Sequence, residues 1–149
     1  MNLALYPYIP IGNYAEINPT INTYRLDRKI KSKERQLEAL KTVTSCVSPT
    51  YGGEGGHGNR VGSPVEYAAL RIVSLSNEIE EDRKNLVTML EEIGPVINRL
   101  GNSDYVELMT IRYIMFLRWD DIICRMGYAQ NTVFRKHREA LERIRLRCG

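Results

Sequence analysis

The sequence predicts an all-α protein: a long antiparallel two-helix hairpin followed by a C-terminal trihelical helix-turn-helix head. Three observations carry that prediction. Along 64–93 apolar residues recur every seventh position, with Val65, Ile72, Ile79, Leu86 and Ile93 in one row and Ala68, Leu75, Asp82 and Met89 in the other. A sustained heptad is the mark of a helix that pairs with one partner helix along a narrow seam. The stretch 47–63, with six glycines, separates this segment from an earlier helical one, so the chain can fold back on itself. The stretch 117–147 then reads as two helices meeting at Gly127. Glycine supplies the left-handed turn that side chains resist, and a short Gly-containing turn between two amphipathic helices is the helix-turn-helix pattern.

Residues 1–19 hold three prolines and three tyrosines with almost no charge, which predicts an extended arm. Residues 20–101 form the hairpin. Its first helix, 20–46, carries Leu26, Ile30, Leu37 and Leu40 in a stripe with Lys33 at one of its positions. The Gly-rich loop 47–63 lacks the Gly-Lys-Ser/Thr of a phosphate loop and no apolar strand precedes it, which argues against nucleotide binding. His57 stands alone there and is read as solvated. The second helix starts with Ser63 as N-cap, Pro64 at the first helical position and Glu66 completing a capping box. Gly94-Pro95 should end or kink it, since the residue before proline avoids helical angles. Lys33 and Asp82 each interrupt an apolar seam and are expected either to face each other across the hairpin or each to reach solvent by its stem, because an unpaired buried charge is costly.

Residues 102–149 make the head. Asn102-Ser103 is a plausible cap pair for a helix over 104–117 that is apolar nearly all round and therefore buried. The next helix, 119–126, presents Trp119, Ile122, Ile123 and Met126 on one side, with Asp120 and Asp121 in its first turn, where the helix dipole favours acids. The last helix, 130–147, puts Val133, Ala140, Leu141 and Ile144 on one face. Trp119, Ile122, Tyr128, Val133 and Leu141 are expected to bury one another.

The net charge of +3 says little, but its distribution is informative. Residues 25–41 carry +4, residues 64–93 carry −4, and the last helix carries +4, from six basic and two acidic side chains. A basic helix behind a tight turn suits the phosphate wall of a DNA groove; the bland alternative is two core helices with a solvated basic face. Three widely spaced cysteines without a CxxC fit a reducing compartment and give no metal-site spacing. Neither a secretory signal nor a membrane span is expected. Glu80-Glu81 and Glu91-Glu92 read as helix surface, and His137, near the apolar face of the last helix, reads as a packed histidine; an enzyme is not expected, and no cofactor is.

The run RYIMFLRWDDIICRMGY…VFRKHREALERI over 112–144 resembles phage late-gene transcription regulators of the ArpU/RinA type, whose C-terminal end is similar to region 4 of bacterial sigma factors. The segment 63–79 after the glycine loop resembles the upstream part of those proteins. The resemblance implies sequence-specific binding to double-stranded DNA near phage late or packaging promoters, in the cytoplasm of a bacterial host, with host RNA polymerase as an implied protein partner. Lys136 stands at a later position where the motif is apolar and is counted with the DNA-binding residues; carried over by position, Gln130, Asn131, Phe134 and Arg135 would face the bases, with Arg138 toward phosphate. The same residues lie opposite Val133, Ala140, Leu141 and Ile144 on the helix. Where the family places Ser or Thr as helix caps, this chain has Arg118 and Ala129, and a missing cap costs about 1 kcal/mol. A homodimer through the hairpin is a further expectation. Two other functions fit the same pattern. One is the DNA-recognition small subunit of a packaging terminase. The other is a polymerase-docking module that does not read DNA.

Overall fold

A computed structural model describes residues 18–46 and 64–148, with side chains described for 20–46 and 64–146. Of the expected arm over 1–19, residues 1–17 lie outside the described residues, as do the glycine loop with His57 and the Ser63 cap, while Asn18 and Pro19 open α1 in place of extended chain. The described residues form five helices and no strand: α1 (Asn18–Cys46), α2 (Pro64–Asn98), α3 (Ser103–Tyr113), α4 (Trp119–Met126) and α5 (Gln130–Cys148). The protein is therefore all-α, an antiparallel hairpin with a C-terminal helical head. None of the helices is long and apolar enough to cross a membrane.

Two compact units divide these helices. The first holds residues 28–46 of α1 and 64–85 of α2. Ile30, Leu75 and Ile79 are its buried apolar side chains, as the stripe and the heptad require. Lys33 meets Asp82 at 2.7 Å and Glu78 at 3.0 Å, and Lys29 meets Asp82 at 3.2 Å. Pairing of an earlier α1 residue with a later α2 residue fixes the antiparallel register. The facing of Lys33 and Asp82, one of the two expected outcomes, is thus present. The hydrogen bond from Lys33, with Lys29 adding to it, holds the Asp82 carboxyl below its usual range. Val65, in the heptad row, is exposed.

The second unit holds the first turns of α1, the end of α2 and all of α3, α4 and α5. α2 does not stop at Pro95 but runs on to Asn98. Arg99 N–H then donates to the Pro95 carbonyl at 3.2 Å, and Gly101 turns the chain with φ of +74°. Asn102 caps α3: its side-chain oxygen accepts from the N–H groups of Asp104 and Tyr105 at 3.0 and 3.3 Å. α3 ends at Tyr113, four residues short of the expected Leu117. Ile114 and Met115 N–H both donate to the Thr110 carbonyl, and Phe116 takes φ of +58°. Left-handed backbone at a bulky residue reverses the chain there, and Met115 is left exposed.

Two apolar clusters fill the unit. One joins Ile93, Ile97 and Leu100 of α2 and its exit to Met109 and Tyr113 of α3 and to Ala140, Leu141 and Ile144 of α5; Ile21 and Tyr24 of α1 pack against it. The other joins Leu108 and Ile111 to Trp119, Ile122 and Val133. Leu141 therefore belongs to a different cluster from the other expected core residues. Tyr128 corrects the expectation outright, since it is 39% exposed.

Candidate nucleic-acid interface

The turn between α4 and α5 is built from backbone. Gly127 adopts φ of +69°, ψ of +14°, and its N–H donates to the Ile123 carbonyl at 3.1 Å, which closes α4. A Cβ at Gly127 would meet nothing within 4 Å, so its glycine is required by conformation and not by crowding. Arg118 takes the N-cap position of α4 and makes no side-chain cap bond. At the start of α5 the Ala129 carbonyl accepts from Thr132 and Val133 at 2.9 and 3.1 Å.

α5 turns Val133, His137, Ala140, Leu141 and Ile144 inward. Asn131, Arg135 and Arg138 are exposed, and Gln130 is half-buried. Arg135 is 66% exposed and reaches Glu139 only at 3.9 Å. This leaves its guanidinium accessible, since so loose an exposed pair is worth little. Two other sequence-selected residues are engaged with the protein. Phe134 packs edge-on against Trp119, centroids 5.1 Å apart and planes at 89°. Lys136 donates to Asp104 at 2.8 Å and lies 4.8 Å from the Tyr128 ring centre. The Tyr128 hydroxyl donates to the same carboxylate at 3.0 Å. Those two bonds, Lys136 first, hold the Asp104 carboxyl below its usual range, and the bond to Asp104 holds the Lys136 ammonium above its own. Of the six residues selected from sequence, the structure places Gln130, Asn131, Arg135 and Arg138 on the open side and gives Phe134 and Lys136 internal partners.

Behind this face lies a buried aromatic-cationic stack in which the sequence reading gave Arg112 and Tyr24 no role. Arg112 is 8% exposed. Its guanidinium carbon sits 3.8 Å from the centre of the Tyr24 ring and 4.4 Å from that of Trp119. Nη1 donates to the Leu117 carbonyl at 2.9 Å, while Nε is buried with no hydrogen-bond partner. Trp119 meets His137 edge-on at 4.9 Å, and the Tyr113 hydroxyl and His137 Nε2 are hydrogen-bonded at 2.8 Å. Burial lowers the His137 imidazole to about 3 and raises the Tyr113 phenol to about 12, so both are neutral near pH 7. The available signal was that Arg112 is the lone cation between Asp104 and Leu117. A charge on a helix otherwise built for burial needs a specific partner.

Among the described residues no cluster of His, Cys, Asp and Glu could hold a metal ion. Cys46 and Cys124 are exposed and unpaired. Neither a curated protein nor a solved structure matches the chain. Residues 55–145, more than half the sequence, match the profile of a family described as proteins of unknown function, DUF1492. The match takes in α2, the head and the turn at Gly127, and the chain belongs to the DUF1492 family.

Proposed function

We propose that this protein is a sequence-specific binder of duplex DNA that reads bases with the start of α5 and acts as a phage transcription regulator at late or packaging genes. The observation that carries the reading is the open side of α5. Directly after a left-handed glycine turn, Asn131, Arg135 and Arg138 project away from the buried Val133, Ala140, Leu141 and Ile144, with Gln130 at their edge. The first turns of a recognition helix are the part that reaches base edges in a major groove. Asn and Gln carry the paired donor and acceptor that match adenine, and arginine matches guanine. The positive charge of α5 suits the phosphates on either side. The phage setting, the late-gene role and an encounter with host RNA polymerase rest on the sequence resemblance.

Selection from a pool of random duplexes, followed by footprinting of the enriched sequence, tests the proposal. The expected outcome is one enriched motif with a protected patch over it. A pool that stays random through repeated rounds rejects sequence reading. It leaves the polymerase-docking module as the better account. A ring of eight or more subunits on the DNA would favour the packaging subunit.

A further inference from the structure

We infer that Arg112 is a positioning residue for α5, and that the first turns of α1 belong to the reading unit through it. The inference rests on the reading of α5 as the recognition helix. Three helices meet at this one side chain, its own α3 included, and α5 is reached through Trp119. The Arg112 guanidinium carbon lies over the Tyr24 ring of α1 and over the Trp119 ring of α4. Nη1 holds the Leu117 carbonyl in the α3–α4 connection. Trp119 in turn stands edge-on to Phe134 and His137, one turn apart on α5. Phe134 adjoins Arg135 and stands one turn after Asn131, while His137 adjoins Arg138. The rotation of α5 about its axis, which aims those three exposed side chains, is thus set against Trp119, and Trp119 is set against Arg112.

The chemistry of the site supports positioning over bulk packing. Burying a guanidinium is costly in lost hydration, and an apolar side chain would fill the space without that cost. What only arginine offers is a rigid plane that stacks on two rings and donates in that plane. The connection it grips needs holding. Phe116 is left-handed, a conformation costly for a bulky residue that persists only where neighbours over-determine it. The Arg112–Leu117 bond lies one residue beyond Phe116, the Phe116 ring lies 6.4 Å from Tyr24, and the Thr23 hydroxyl reaches the Tyr113 carbonyl at 3.2 Å. The first turns of α1 therefore hold the far side of the same connection.

The test uses the full chain and three variants: Tyr24→Leu, Tyr24→Phe and Arg112→Lys. Tyr24→Leu removes one stacking face from a half-buried position outside the helix-turn-helix. Tyr24→Phe keeps the face. Arg112→Lys keeps the charge and loses the plane. Amide hydrogen exchange is followed at 130–138 without DNA, and the ratio of selected to random duplex affinity is measured with it. The expected result is faster exchange in Tyr24→Leu and Arg112→Lys, by about tenfold or more, with the affinity ratio lowered by a similar factor. Random-duplex affinity should stay near that of the parent, and Tyr24→Phe should behave as the parent does. Unchanged exchange at 130–138 in both disruptive variants overturns the inference, as does a uniform rise across the whole head. If the parent has no duplex preference, the reading of α5 fails on that arm, while the exchange arm still decides whether Arg112 positions the helix.

Discussion

Trp119 fills the cluster with Leu108, Ile111, Ile122 and Val133, and its ring stands edge-on to Phe134 and His137. Truncating a buried aromatic removes its transfer energy and leaves a cavity, so Trp119→Ala should cost about 3–5 kcal/mol. Urea denaturation checks this, and a variant within a fraction of a kcal/mol of the parent would place Trp119 outside the core. His137 gives a second prediction. Burial, with the positive charges of Arg112 and Arg138 adding to it, lowers its pKa from 6.5 to about 3. The unfolded chain therefore binds a proton in that window that the folded chain refuses. Stability is full above the unfolded pKa and falls as the pH drops through the window, by about 1.4 kcal/mol per unit. The depressed carboxyls of Asp82, Glu78 and Asp104 add losses only around and below pH of about 4. Unfolding free energies at about pH 7.5 and about pH 5.5 should differ by about 1.4 kcal/mol from His137 alone. The difference should shrink in His137→Gln, which accepts a hydrogen bond but does not titrate. An equal difference in that variant would assign the pH dependence to other groups.

At the scale of elements, the α4–α5 turn depends on one backbone conformation. Gly127→Ala should destabilise the head by about 1–2 kcal/mol, because a Cβ resists the left-handed region. Gly127→Asn should cost less, since asparagine tolerates that region. Thermal melts would order the three proteins, and equal losses in the two variants would point to crowding, which the open space around Gly127 argues against. This turn was legible because its cause is local: one glycine, with apolar positions spaced for helices on either side. The hairpin was legible for a related reason, since a heptad calls for a partner helix along its seam, and Lys33 opposite Asp82 is one of the two outcomes that the cost of an unpaired charge allows. The α3–α4 connection was not legible. Apolar residues run unbroken from Tyr113 to Leu117, and no glycine marks Phe116, whose left-handed angle sits in a turn closed by Leu117 N–H to the Ile111 carbonyl and by Arg112 to the Leu117 carbonyl. At Gly94-Pro95 local rules allowed either an end or a kink, and α2 runs through to Asn98 with Ile93 and Ile97 buried on either side. Tyr128 fitted an apolar slot by spacing, yet its hydroxyl bonds Asp104 and its ring carries Lys136. Pattern reasoning finds where a side chain sits on its helix and misses which polar group it meets across helices.

For the whole molecule, a modest net charge of +3 hides a separation of sign, with acid concentrated in α2 and base on α1 and α5. Affinity for DNA would come from the basic α5, and sequence preference from a few side chains at its start. Those two contributions separate experimentally, because phosphate contacts release counterions and base contacts discriminate between sequences. Of the six sequence-selected residues, Asn131, Arg135 and Arg138 are exposed and Gln130 is half-buried beside them, a placement that helical periodicity anticipates. The engagement of Phe134 and Lys136 needed the positions of Trp119 and Asp104, which spacing along one helix does not supply. The most direct measurement is the affinity of the parent, Arg138→Ala and Asn131→Ala for the selected duplex and for a random one, each at two salt concentrations. The account predicts that Arg138→Ala weakens both duplexes by a similar factor and lowers the salt slope by about one. It predicts that Asn131→Ala costs about 1–3 kcal/mol on the selected duplex and little on the random one. Equal affinity of the parent for both duplexes, with neither variant changing it, would contradict the claim that α5 reads DNA.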